Sequence, residues 1–265
     1  MSIRVSVLGE CMVEIRHVDA ELARFSFGGD VLNTAIYLTR LGLPTRFVTA
    51  LGDDRYSERM IAGWKAEGVS TDAVRIFPQR LPGMYVIETS PSGERRFLYW
   101  RTDSPARDVF TPEHADATTR ALLDTDVLLL SGITLSLYGA AGLWRLFGAL
   151  KQAKKHGIRI VFDTNYRPRN WPDPSLARVA YGELSDVVDV VLAGEEDLGL
   201  LFGGNDAEVA LRDWLDFSTT EVVLKCGGAD CRIWADGAEY AVSAEPVSRI
   251  VDTTAAGDSF AAAYL

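Results

Sequence analysis

Apolar residues fall along this chain in two rhythms. Short, almost wholly apolar runs recur at IRVSVLG (3–9), RFVTALG (46–52), DVLLLSG (126–132), IRIVFDTN (158–165), VVDVVLAG (187–194) and EVVLKCGG (221–228). Between them lie stretches with apolar residues at helical spacing, such as VLNTAIYLTRLG (31–42) and the segments that end on Gly68, Gly157 and Gly203. Glycine is a frequent helix stop. Strands with little polar alternation are buried on both faces, so the pattern predicts an α/β fold with a parallel sheet covered by helices on each side.

One stretch departs from this rhythm. GMYVIETSPSGERRFLYWR (83–101) reads as two alternating strands around SPSGE (90–94), a hairpin inserted in the α/β pattern. Such a hairpin projects from the sheet, either as a lid or as a plain edge element. No internal repeat or low-complexity linker interrupts the chain, so one domain is expected over residues 1–265.

A net charge of −10 argues against a nucleic-acid partner and against attachment to a membrane surface by a basic patch. An anionic ligand must therefore be met locally, by a few arginines or by backbone dipoles. Cys11, Cys226 and Cys231 have no metal-ligand spacing and read as reduced thiols of a cytoplasmic protein. The N-terminus MSIRVSVLGE lacks the apolar core of a signal peptide, and no apolar run is long enough to span a bilayer.

Neither the G-x-x-x-x-G-K-[ST] loop nor G-x-G-x-x-G is present, so phosphate, if bound, is handled elsewhere. Two stretches carry candidate chemistry. In FGGDVLNTA (27–35), Gly28 and Gly29 permit a tight turn; Asp30 is able to cap the following helix, or with Asn33 to bind hydroxyls of a sugar. In DTTAAGDSF (252–260), the amides of Ala255, Ala256 and Gly257 open a helix and suit an anion. Asp258 then either caps that helix or accepts a proton from an attacking hydroxyl.

Together with FDTNYRPRNW (162–171) and KCGGADC (225–231), these stretches resemble the ribokinase-like (PfkB) carbohydrate kinases, over the whole chain and in the family's order. DTTAAGD, DTNYRPRNW and the Tyr/Arg pattern of the hairpin are most similar to the 2-keto-3-deoxygluconate kinases. The resemblance implies a Rossmann-like three-layer α/β/α sandwich with a small β-strand lid, its strands within about 10–17 and 83–103. It implies ATP and Mg²⁺ as cofactors, Asp258 as catalytic base and 255–257 as anion hole. Ala255 stands where most relatives have glycine, a change expected to be tolerated with a negative φ.

By the same resemblance Gly28, Gly29, Asp30 and Asn33 hold the sugar, and Lys225, Gly227 and Asn165 lie near the nucleotide. Asp163 and Asp197 stand near Mg²⁺, through water. The family's N-x-x-E falls at GEED (194–197), with Gly194 and Asp197 in place of Asn and Glu. A sugar acid carries a carboxylate, and Arg101 and Arg167, with Tyr85 and Tyr99, are expected to bind it. The expected reaction is phosphorylation of 2-keto-3-deoxygluconate at its 6-hydroxyl. A neutral-sugar kinase of the fructokinase or ribokinase type, and a catalytically silent sugar-acid binder, remain as alternatives. Relatives continue for some tens of residues past the catalytic Asp, so an ending at Leu265 reads as a truncated or shortened form. An apolar face on the hairpin points to a homo-oligomer formed through the lid.

Overall fold

The computed structural model describes residues 3–19, 21–89, 95–203, 209, 211–212, 219–250 and 253–265; the SPSGE turn (90–94), Val251 and Asp252 lie outside these. The central sheet contains β1 (Val5–Leu8), β4 (Thr45–Gly52), β5 (Val74–Phe77), β8 (Val127–Ser131), β9 (Arg159–Asp163), β10 (Val190–Gly194) and β11 (Glu221–Lys225), all parallel. Two antiparallel strands, β12 (Cys231–Ala235) and β13 (Ala238–Val242), extend it beyond β11. The spatial order is β13-β12-β11-β10-β9-β8-β1-β4-β5. Each apolar run named above supplies a parallel strand. The strand at Val74–Phe77 and the closing antiparallel pair have weaker patterns, because their faces are only partly covered.

Successive residues of the inner strands feed different layers, as the period of two requires. Leu128 and Leu130 of β8, with Ile160 and Phe162 of β9, pack among α3 (Ala115–Leu123), α5 (Ala140–Lys155), α6 (Pro174–Leu184) and α7 (Glu195–Phe202). Leu129 and Val161, one residue out of phase, pack with α1 (Asp30–Arg40), α2 (Arg55–Ala66) and α8 (Ala256–Tyr264). A short helix, α4 (Gly132–Ser136), follows β8 directly and is closed by a Ser131–Thr134 capping box. The result is the expected three-layer sandwich. The cysteines are free, Cys226 facing the first layer and Cys231 the second.

The inserted hairpin is present as β6 (Met84–Thr89) and β7 (Arg95–Trp100), paired antiparallel. It belongs to a separate four-stranded sheet, ordered β3-β2-β6-β7, with β2 (Met12–His17) and β3 (Ala23–Gly28). The lid therefore draws on three stretches of chain. The strand at 23–28 was not anticipated, although ARFSFG does alternate; it is short, and three of its six residues are exposed.

Candidate active site

Parallel α/β sheets bind ligands beyond the carboxyl ends of their strands, where successive loops converge. Here Ser131, Asp163, Gly194 and Lys225 are the last residues of β8, β9, β10 and β11, and α8 starts beside them. A cleft of about 770 Å³ opens there, between those strand ends and the inner face of the lid. That volume is in the range of small-molecule sites. Asp30, Asn33, Asp163, Asn165, Arg167, Asp197, Lys225, Gly227 and Ala255–Asp258 line it from the sheet side, and Gly28, Gly29, Tyr85 and Tyr99 from the lid side.

Asp258 does not cap α8. It lies within the first turn, and its Oδ2 accepts a hydrogen bond from Asn33 Nδ2 at 2.8 Å. Helices α1 and α8 pack directly together, so Asn33 in the first turn of α1 reaches across to the carboxylate. Burial, and next the charge of Asp30, push the Asp258 carboxyl up to about 7; Asn33 and Lys225 act against this, and Asp163 adds to it. A carboxyl tuned close to neutral pH is matched to accepting a proton from an alcohol.

Asp30 is likewise not a cap. The N-cap of α1 is Gly29, and Asp30 Oδ2 instead accepts bonds from Ser131 Oγ at 2.6 Å and Asn165 Nδ2 at 2.8 Å. Gly28 and Gly29 are needed for space rather than for a tight turn: Gly29 is extended (φ −177°), and a Cβ on Gly28 would lie 2.2 Å from the Tyr85 hydroxyl. Asn165 holds a positive φ of 25°, a strained conformation that Asn tolerates better than most residues.

The helix opening differs from expectation at two residues. Ala255, the N-cap of α8, sits in the left-handed region (φ 59°, ψ 18°) and not at negative φ, because the chain reverses there to enter the helix. For an alanine this costs about 1–2 kcal/mol. The Ala256 N–H is engaged with the Thr253 carbonyl at 3.2 Å, so that amide is taken by the turn. Gly257 stays close to a cation: Lys225 Nζ is 3.9 Å from where its Cβ would lie.

Lys225 pairs with Asp163 at 2.7 Å across the ends of β11 and β9. Burial raises the Asp163 carboxyl and Lys225 opposes the shift. Arg167 binds Asp197 at 2.8 Å, and Asp197 also accepts the Thr164 hydroxyl at 3.0 Å. At Gly194, the Asn position of N-x-x-E, a Cβ would stand 2.7 Å from Asp197 Oδ2, so a side chain there needs that carboxylate to turn aside. Among the described residues no group of three or more His, Cys, Asp or Glu side chains is arranged to hold a metal ion. Asp163 and Asp197, the acids expected near Mg²⁺, both line the cleft, each holding a cationic side chain, Lys225 and Arg167; a magnesium ion beside them would keep its waters and take its direct ligands from phosphate.

Arg101 is the one predicted residue that does not line the cleft. It points to Glu10, pairing at 2.5 Å. Glu14 does line the cleft and was missed: it accepts the Tyr85 hydroxyl at 2.5 Å and Ser26 Oγ at 2.8 Å. The available signal was an acidic residue at an inward position of the alternating strand MVEIRH.

Residues 2–265 match the family model described as pfkB family carbohydrate kinase. The chain belongs to that family. It is 38% identical to a 2-dehydro-3-deoxygluconokinase of Dickeya dadantii (strain 3937), over 98% of this chain and 86% of the relative. It is 35% identical to the protein of that name from Escherichia coli (strain K12), over 100% of this chain and 88% of the relative. Among solved structures, a PfkB protein from Polaromonas sp. JS666 superposes with a TM-score of 0.85 at 25% identity, covering 98% of this chain and 86% of that one. A fructokinase with bound ATP from Xylella fastidiosa shares the fold at a TM-score of 0.86 and 22% identity, over 99% of this chain and 80% of that one. This PfkB chain is accordingly a carbohydrate kinase of ribokinase-like fold.

Proposed function

We propose that this kinase transfers the γ-phosphoryl group of ATP to the 6-hydroxyl of 2-keto-3-deoxygluconate, the compound that the relatives' names call 2-dehydro-3-deoxygluconate. The observation carrying the proposal is the joint arrangement of one cleft: a carboxyl near neutrality, Asp258, at a helix N-terminus, and arginine charge beside Tyr99. Asp258 takes the hydroxyl proton as the sugar oxygen bonds to phosphorus and the bond to the ADP oxygen breaks. The helix N-terminus around Gly257, with the Lys225 ammonium beside it, balances charge on the migrating group. Mg²⁺, bound with ATP, would neutralise phosphate charge, with Asp163 and Asp197 reaching it through water. Gly28, Gly29, Asp30 and Asn33 bound the sugar position, and Lys225, Gly227, Asn165 and Asp197 the nucleotide side. Arg167 meets the substrate carboxylate with Tyr85 and Tyr99, and Arg101 supports that end from behind.

The location expected is cytoplasmic, in keeping with three free thiols and, among the described residues, no helix long and apolar enough to cross a membrane. Self-association through the lid belongs to the same reading, supported by exposed Phe25 and Trp100 on its edge strands. Sedimentation of the purified chain tests it.

The deciding experiment measures ADP release with Mg-ATP and, in parallel, 2-keto-3-deoxygluconate, fructose or ribose. Turnover with the sugar acid alone is expected. Turnover with fructose or ribose alone would make this a neutral-sugar kinase. Calorimetric binding of the sugar acid with no turnover would make it a silent binder.

A further inference from the structure

The most deeply buried acid outside the cleft lining is Glu10, whose side chain is 1% exposed. It sits between β1 of the central sheet and β2 of the lid, where the chain first passes from one to the other. The other passages meet it there. Arg101 follows β7, the last lid strand, and donates from Nη2 to Glu10 Oε2 at 2.5 Å. Gly83 precedes β6; a Cβ on it would lie 3.0 Å from Glu10 Oε1 and 3.2 Å from Arg101 Cβ. Gly29 follows β3, and a Cβ there would come within 2.2 Å of the Glu10 carbonyl oxygen.

A buried ion pair adds little net stability, because desolvation offsets its attraction. Its value here lies in place. Arg101 Nη1 also reaches Asn170 Oδ1, at 3.4 Å, in the loop that carries Arg167. The charge of Arg101 further acts on the Tyr99 phenol, a cleft-lining group. Glu10 Oε1 and Arg101 Nε, both buried, have no hydrogen-bond partner among the described residues. The pair is thus not saturated by the core, although Arg101 itself stays behind the cleft lining.

We propose that Glu10 is a positioning residue, pinning the first and last passages between the two sheets to each other and, through Arg101, setting how the lid presents its side chains to the substrate. The substrate half of this rests on the kinase reading above; the pin itself does not.

Hydrogen exchange and steady-state kinetics on wild type, Glu10→Gln, Glu10→Asp, Arg101→Met and the Glu10→Gln/Arg101→Met double variant test it. In Glu10→Gln, exchange at 12–17, 24–28, 84–88 and 96–100 should quicken by about tenfold or more while β8 and β9 keep their protection. KM for the accepted sugar should rise about tenfold with KM for ATP within about twofold, and the double variant should be no worse than Arg101→Met alone. Glu10→Asp, which keeps the charge on a shorter arm, should fall between. Unchanged lid exchange, or an equal loss of protection in both sheets, would overturn the proposal. So would additive effects of the two substitutions on KM. If wild type accepts fructose and not the sugar acid, the substrate reading fails, and the exchange result still decides the pin.

Discussion

At the α8 end of the cleft the carboxylates of Asp30 and Asp163 bear on that of Asp258, with the Lys225 ammonium paired to Asp163, whereas at the lid end Arg101, Arg167 and Arg169 bear on the Tyr99 phenol. Burial is the largest influence in both places and pushes both kinds of acid up. The neighbours then diverge. Around Asp258 most of the added charge is negative and holds the proton more tightly. Around Tyr99 it is positive and works against the shift. One end is thereby suited to taking up a proton, the other to receiving an anion. Under the proposed function, a substrate with an alcohol at one terminus and a carboxylate at the other would be oriented by this contrast before any shape-specific contact.

The contrast breaks first at Asp258. Asp258→Asn should lower kcat on the order of 10²–10⁴-fold while sugar binding by calorimetry persists. In wild type, kcat/KM should rise with pH through about 7, since Asp258 must be ionised to act. The stability effect has the opposite sense. The native value lies above the ordinary one of 3.8, so ionisation costs folding energy as pH rises through that window. Asp258→Asn should therefore be more stable than wild type above pH ~7, by roughly 1–3 kcal/mol in denaturant titration.

Lys225→Met removes the cation from the acidic end. Asp163 is left buried without its partner, at a cost of about 3–5 kcal/mol. The kcat/KM profile should also move to higher pH, because Lys225 lowers the Asp258 carboxyl. A profile that stays in place would show that the two groups are not coupled through the cleft.

Arg167→Ala sharpens the comparison at the other end. KM for the sugar acid should rise by roughly 1.5–3 kcal/mol of charged hydrogen bonding, with kcat little changed. An unchanged KM would remove the carboxylate from that end. The smallest effect expected is at Ala255: Ala255→Gly relieves the left-handed strain, and thermal unfolding should register a gain of about 1 kcal/mol.

The central sheet was legible because its strands are buried on both faces, which leaves an almost unbroken apolar run in each. The lid was half legible. Its hairpin alternates over nineteen residues, but the alternation of Ala23–Gly28 is only six residues long and half of them are exposed. In the cleft, residue types pointed to positions that the fold brings to one place, Arg101 apart, while their partners did not show. That Asp30 is held by Ser131 and Asn165, over 100 residues away, follows from strands meeting in space. Local capping, the cheaper explanation for an acid near a helix start, was wrong for Asp30 and Asp258 alike. Ala255 deceived for a related reason: alanine reads as ordinary helix, whereas here it is the left-handed residue at which the chain enters α8. Glu10, between β1 and β2, and Glu14, within β2, were passed over because a single acid beside apolar neighbours carries no motif.

Gly194 also bears on how such a site is able to change over evolutionary time. A Cβ at 194 would meet the carboxylate of Asp197, which is held by Thr164 and by Arg167. An asparagine there needs the Asp197 side chain to turn aside, which would loosen its hold on Arg167. Under the proposed function, a change on the nucleotide side would thereby be felt at the arginine on the sugar side. Lineages leaving this arrangement would then be expected to change 194 and 197 together rather than singly.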